Sequence, residues 1–396
     1  MDRFDAGIGR LTRTLLGLVL VLALGTIFGM ALLWPGEVQT RLGGSLANDS
    51  EKAEVEVVRE VTCPGLASGG CQLATVRLES GPDSGRRVRI ALSTGNLDPD
   101  LDSGDDILVT ETPAPVEGAA PIAGTGWALY DFQRGTPMLL LAALFVGVVL
   151  IFARLKGALS LVGLAISLAV VVLFVVPSIL DGKPPLAVAI VGSLAIALVT
   201  IPLAHGLRAK SLAAILGTCA SLLLVALLAV VFTELTHLTG LSSEEATFLQ
   251  LGGGDLSLEG LLLAGMVIGA LGVLDDVTIT QASTVLALRD ANPELGLREL
   301  VARALRVGRD HVSATVNTLV LAYVGAALPV LLIFSSSDLG AVDVVNLELV
   351  SKEVVATLVG SIGLIAAVPV TTLLAAALAL AAPAGSGADA EPPHVH

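Results

Sequence analysis

The sequence predicts a mainly α-helical, polytopic membrane protein with eight transmembrane helices and a small exported all-β domain between the first and second. Three observations carry that reading. Of the 396 residues, 54% are hydrophobic and the mean hydropathy is +0.85, which a soluble chain of this length does not show. Apolar runs near the roughly 20 residues of a bilayer crossing recur along the chain. About a hundred residues after the first run contain no such stretch and alternate instead with period two.

Arg3, Arg10 and Arg13 precede the first run, Leu15 to Trp34, and such a basic flank holds an N-terminus in the cytoplasm. The run is longer than a signal-peptide core and no small-x-small site follows, so residues 1–34 read as a cytoplasmic start and an uncleaved anchor, with a cleaved signal as the alternative. Residues 35–136 then form the exported domain. Alternation predicts strands around Val55 and Val57, Ala74 to Leu78, Val88 to Leu92, Ile107 to Glu111 and Trp127 to Phe132. Gly81-Pro-Asp-Ser-Gly85 makes the second and third a hairpin, and a small antiparallel barrel or sandwich fits the set.

Cys63 and Cys71 are the only cysteines of this domain, and an exported position permits a disulfide between them. Cys219 sits alone in an apolar span and reads as a small core residue. The acidic loop from Asp98 to Asp106 has carboxylates at three calcium-loop positions, but Ser103 replaces the turn glycine and Val109 the bidentate Glu. It reads as a solvated loop entering a strand.

Seven further spans follow: Met138–Phe152, Ala158–Val176, Leu186–Leu203, Leu212–Phe232, Leu261–Ser283, Val312–Phe334 and Val354–Leu380. Residues 137–382 therefore make a seven-helix membrane domain. With the N-terminus inside, the cytoplasmic segments hold 12 Lys and Arg residues, while the short outer loops hold only Lys183 and Lys352. Both termini are then cytoplasmic, in the plasma membrane of a cell. Residues 293–309 read as a cytoplasmic amphipathic helix with Leu297, Leu300, Val301, Ala304 and Leu305 on its apolar stripe. Such a helix lies in the membrane surface or docks on a soluble partner. The polar tail, 383–396, reads as disordered.

The sixth span carries the chemistry. Its apolar run, Leu261 to Leu274, has 14 residues, so a crossing helix must include Asp275 and Asp276, about 7 Å from one face of the hydrocarbon. Gly265, Gly269, Gly272, Asp276, Thr280 and Ser283 recur at helical spacing and share one small, polar face. Asp275 points about 100° away from Asp276. The seventh span repeats the pattern with His311, Thr315, Thr318 and Gly325, with Asn317 beside them, and the eighth with Gly360 and Gly363. Three small-faced helices are thus expected to pack together around the Asp pair.

Several classes are disfavoured. A net charge of −14, with 16 of 36 acidic residues between Glu37 and Asp131, argues against nucleic acid as a partner. No phosphate-binding GxxxxGK[ST] loop occurs, and an intramembrane aspartyl protease would place its Asp residues on two helices. No metal-spaced His/Cys cluster is present beyond the weak pair His394 and His396. We therefore expect no enzyme activity, no cofactor and no metal.

The stretches HGLRAKSLAAILGT (205–218), TGLSSEEATFLQ (239–250), LLLAGMVIGALGVLDDVTITQAS (261–283) and GSIGLIAAVPVT (360–371), with the Trp127 to Arg134 lead-in, resemble the YibE/F-like family of bacterial multipass membrane proteins. The family's usual Asp falls on Asp276, whereas Asp275 stands where an apolar residue is common and Ala287 where many members carry Glu. The resemblance implies no established activity. The order of elements is also similar to the membrane half of SecF and related RND-type proteins, in which buried acidic residues are associated with proton coupling.

Intramembrane carboxylates are costly and functional by default. Two readings follow. In the first, a proton-coupled secondary transporter or exporter uses Asp276 as proton or cation site, Asp275 as modulator, Asn317, Thr315 and Thr318 as polar neighbours and His311 as relay. In the second, a membrane assembly or accessory protein binds a partner through its exported domain and the Asp pair only holds helices together. Its partners are the lipid bilayer and either a small-molecule substrate or an unknown protein, and self-association is left open.

Overall fold

A computed structural model describes residues 2–36, 50–62, 70–93, 99–111, 126–242, 248–249, 256–336 and 339–381. It divides into two compact units, residues 40–152 and the remainder, and each is taken by itself.

The smaller unit contains β1 (Ser50–Thr62), β2 (Gly70–Leu78), β3 (Arg87–Ser93), β4 (Asp106–Glu111) and β5 (Trp127–Phe132). All pairs are antiparallel, in the order β3-β2-β1-β4-β5, and β3 approaches β5 so that the sheet curls into a half-barrel. Val55 opposite Val76, Val76 opposite Val88 and Ala53 opposite Ile107 put the apolar phase of four strands on one side. These residues, with Ile90, Leu92 and Val109, form the core. The predicted hairpin joins β2 to β3, and the Gly85 amide donates to the Leu78 carbonyl at 2.8 Å.

One strand departs from the predicted alternation. Strict alternation turns Val57 inward with Val55, but Val57 is 43% exposed, and Val58 packs on the core instead. A bulge between Val55 and Val57 inserts one residue and reverses the phase. In the acidic loop, the Asp102 amide donates to the Asp105 carboxylate at 2.8 Å and Leu101 is buried, so the described part of it is a turn entering β4. Cys63 lies outside the described residues, and with it the expected bridge to Cys71.

Asp131 accepts from the Arg134 guanidinium at 2.8 Å and from the Phe132 amide at 2.8 Å, and these bonds hold its carboxyl below the usual carboxylate range. A carboxyl lowered on folding adds stability above its unfolded value of about 3.9, and that stability is lost as pH falls through the folded value. Arg134→Ala is expected to shift the Asp131 midpoint up toward about 3.9, read by carboxyl NMR.

The larger unit is helical. α1 (Asp2–Leu33) is followed, beyond the β strands, by α2 (Gly135–Val170), whose first part falls in the smaller unit, a π-helical turn (Val171–Val175) and α3 (Val176–Leu180). Next come α4 (Pro185–His205), α5 (Ala209–Leu235), α6 (Leu258–Ala291), α7 (Leu297–Ala326), α8 (Leu328–Ser335), α9 (Ala341–Asn346) and α10 (Glu348–Ala381). Among the described residues, six helical runs are long and apolar enough to cross a membrane, or seven if the bent α7–α8 pair is one span.

Hydropathy predicts eight separate spans, and two differences account for the discrepancy. The second and third predicted spans lie in one helical run of 46 residues, Gly135–Leu180, more than twice what one crossing takes. A kink at Arg154, with φ 48° and ψ −127°, separates two helices within that run, between the two predicted spans. The seventh span is broken, since α7 and α8 meet at 63° where Pro329 cannot continue the hydrogen-bond ladder.

The predicted amphipathic helix at 293–309 is also not a separate surface element. It is the first half of α7, continuous with the span that follows. Most of its stripe is covered by this chain: Leu300 and Ala304 are fully buried, Val301 and Leu305 pack on the core, and Gly308 sits against Val368 of α10 and Gln281 of α6, while Leu297 stays exposed. Arg298, Arg303, Arg306 and Arg309 remain on the exposed side.

α6 packs against α4, α5, α7 and α10 and forms the middle of the core. At its far end, Glu348 accepts from the Thr239 and Gly240 amides at 2.9 and 2.6 Å and from the Thr239 hydroxyl at 2.8 Å. That clamp fixes the chain leaving α5 to the start of α10. Gly240 is required there, because its φ is +76° and a Cβ would collide with the Leu258 carbonyl.

Candidate functional site

Ser257 starts α6 by accepting from the Gly260 amide at 3.0 Å, and the helix then runs 34 residues without interruption. Asp275 and Asp276 stand midway along it. The packed side of α6 is apolar, with Leu263, Val267, Leu271, Leu274 and Val285 buried. Because successive residues turn by about 100°, the carboxylates at 275 and 276 leave the helix in different directions.

Their environments do differ. Asp275 is partly buried, and its Oδ1 is shielded from solvent with no hydrogen-bond partner. Asp276 is 70% exposed at the side chain. Both carboxylates line a cavity of about 280 Å³ between the second half of α2, the end of α4 and the middle of α6. Ser160, Ser167, Thr200 and His205 contribute the other polar groups of the wall. The space is large enough to hold several water molecules.

On its other side Asp276 meets α7, where His311 Nε2 lies 4.0 Å from Asp276 Oδ2. The remaining polar residues predicted on α7 do not converge on the carboxylates. The Thr315 hydroxyl donates to the His311 carbonyl at 2.9 Å and the Thr318 hydroxyl to the Ala314 carbonyl at 3.0 Å, while Asn317 is exposed.

The glycines also divide. A Cβ at Gly265, Gly272 or Gly325 would meet nothing within 4 Å, and at Gly269 only the Tyr323 hydroxyl at 3.5 Å. The stripe on α6 is therefore an open face rather than a packed one. Close packing lies elsewhere: Gly363 of α10 against Val225, Gly217 of α5 against Thr371 and Thr278, and Gly360 in ordinary contact with Leu319.

Behind the cavity, buried polar groups tie the helices together. Thr218 and Thr278 share a hydrogen bond of 2.7 Å between α5 and α6. Gln281 donates to the Ala304 carbonyl at 3.1 Å and to the Thr372 hydroxyl at 2.7 Å, joining α6 to α7 and α10. Gln281→Leu is expected to destabilise the protein by about 1–2 kcal/mol in unfolding assays in micelles, because two buried acceptors lose their donor.

A family model described as YibE/F-like protein matches residues 141–380, more than half of the chain. The chain belongs to the YibE/F-like family. No curated protein and no solved structure matches it, and the likeness to SecF and related proteins is not shown. With its apolar helical runs, this family member is a membrane protein. The YibE/F-like match includes every residue lining the cavity and His311, and leaves the five strands outside.

Sequence reasoning passed over several of the lining residues in this YibE/F-like chain. Ser160, Gly163 and Ser167 recur at intervals of three and four, and Thr200 and Ala204 at four, so each set marks one helical face turned to the cavity. Those stripes are visible on the third and fourth predicted spans, but only the last three spans carry carboxylates or longer small-residue rows.

Proposed function

We propose that this YibE/F-like protein is a proton-coupled secondary transporter, an exporter in the plasma membrane, with Asp275 as the coupling carboxylate. The observation that carries the reading is the buried Asp275 oxygen without a partner beside a polar cavity large enough for water. An ionised carboxylate costs about 2.5–3.5 kcal/mol at the middle of a membrane on insertion scales and less toward its edge, and a proton removes that cost. Binding and release of the proton would then bias how α2, α4 and α6 pack, which is what coupling requires. Asp276, which also lines the cavity and has His311 at 4.0 Å, would pass protons between the cavity and α7.

In this reading the chain crosses the bilayer eight times. Gly135–Leu180 divides at Arg154, whose non-helical backbone supports a turn there, and α7 with α8 makes one bent crossing. Both termini are then cytoplasmic, and the cavity lies toward the side that carries Arg154, Lys156, Arg208 and Lys210. The protein acts on a small molecule without enzyme chemistry or a cofactor.

The test is proton movement in proteoliposomes that contain the full chain and a trapped pH indicator, challenged with a panel of cationic, neutral and anionic small molecules. At least one class should drive proton movement above empty liposomes. Movement no faster than in empty liposomes across the panel would sink the transporter reading.

A further inference from the structure

We infer that the exposed face of the first half of α7, which carries Arg298, Arg306 and Arg309, binds the phosphate groups of acidic phospholipids at the membrane surface. The inference needs only that α6, α7 and α10 stand in a bilayer, and it is independent of the transporter reading.

The rotation of α7 about its own axis is fixed by its other side. The Ala304 carbonyl accepts from Gln281 of α6 at 3.1 Å, and a Cβ at Gly308 would overlap Val368 of α10. Successive residues turn by about 100°, so Arg298, Arg306 and Arg309 fall within about 80° of one another and face away from that contact. All three are exposed.

The depth of this face follows from the two neighbours. α6 and α10 each have 34 residues. At about 1.5 Å per residue that is roughly 51 Å, about 20 Å more than a hydrocarbon core of about 30 Å. Gln281 lies ten residues before Ala291 at the end of α6, and Thr372, to which Gln281 also donates, lies nine before Ala381 at the end of α10. With the surplus length shared between the two ends, the contact between Gln281 and Ala304 falls within about 5 Å of the hydrocarbon edge. Arg306 stands at that level, Arg309 about one turn deeper and Arg298 about 12 Å further out along α7.

Charge then selects the occupant. Arg303 on the same stretch is taken by Glu299, whereas Arg298, Arg306 and Arg309 pair with no carboxylate among the described residues. Residues 297–311 hold four Arg against Glu299 and Asp310, a net charge of +2 in a chain of net charge −14. A guanidinium at the hydrocarbon edge is costly without an opposing charge, and its long stem carries it toward the headgroups. Its planar fork of donors fits two phosphate oxygens at once. Acidic phospholipids bring that phosphate with a net negative charge, which zwitterionic lipids lack.

The test uses the full-length protein in phosphatidylcholine liposomes with a trace of spin-labelled phosphatidylglycerol or spin-labelled phosphatidylcholine, and electron spin resonance reads the motionally restricted fraction of each. Phosphatidylglycerol is expected to be restricted about threefold or more in preference to phosphatidylcholine. Combining Arg298→Gln, Arg306→Gln and Arg309→Gln should bring the preference close to one, and Arg306→Gln alone should lower it by about a third to a half. Thermal unfolding checks that the variants are folded. Inorganic phosphate should lower the preference no more than chloride does at the same ionic strength.

Equal restriction of the two lipids by the unmodified protein would overturn the inference and give the face to an acidic partner in water. A preference that survives unchanged in both variants would overturn it as well. Loss of the preference in phosphate but not in chloride would assign the face to free phosphate instead of lipid.

Discussion

Asp275→Asn is expected to abolish proton-coupled flux while leaving the protein folded. The amide keeps the size of the carboxyl but cannot carry the proton, so flux should fall by about 10² or more, the scale seen when a positioned proton-transfer group is lost. Stability should hold or rise, because the native oxygen is buried with no partner and a neutral side chain is cheaper there. The companion variant Asp276→Asn should cost much less, about three- to tenfold, because its side chain is 70% exposed and works through His311. Rates from pH-indicator proteoliposomes, paired with thermal unfolding, separate the two. The assignment of Asp275 fails if Asp276→Asn proves the more damaging change.

That order of importance differs from the one the sequence favours, and the reason is physical. A helical wheel places Asp276 with Gly265, Gly269 and Gly272, and small residues on a membrane helix are read as a contact face. The wheel gives the direction of each side chain relative to the others but does not say which direction faces protein. In the structure the buried side of α6 is the one that carries apolar side chains of ordinary size: Leu263, Val267, Leu271 and Leu274 lie inward, and the glycines face outward. What decides the question is the position of α4, α5 and α10, which are distant in sequence.

Other parts were legible because local chemistry determines them. Strand phase follows from alternation, and Gly81 and Gly85 both adopt the positive φ that their turn implied. Helical segments follow from apolar runs, which is why α4, α5, α6 and α10 contain the spans expected at those places. The bulge at Val55 and the covering of the 293–309 stripe were not legible. Each depends on a partner strand or helix that hydropathy does not name. His205 is instructive, since it opens a family stretch yet showed no role until α2 and α6 were placed beside it.

The same contrast between wheel and packing yields the largest stability effect. Gly217 lies where α5 meets α6 and α10: a Cβ there would overlap the Thr371 hydroxyl, stand 3.1 Å from the Thr371 Cβ and 3.5 Å from the Thr278 methyl. Neither neighbour can yield easily. Both threonines are fully buried and β-branched, hence stiff at χ1, and Thr278 is also held by Thr218 at 2.7 Å. Gly217→Val must therefore push α5 from both partners and disturb that hydrogen bond, a cost of about 3 kcal/mol or more. Gly265→Ala is the matched control on the open face of α6. A methyl there meets nothing within 4 Å, and alanine is the better helix former by about 1 kcal/mol, so stability should stay level or rise. Unfolding of both variants in the same micelles measures the difference. Comparable losses at the two positions would mean that the glycine face of α6 is packed after all, and would return Asp276 to the centre of the helix contact.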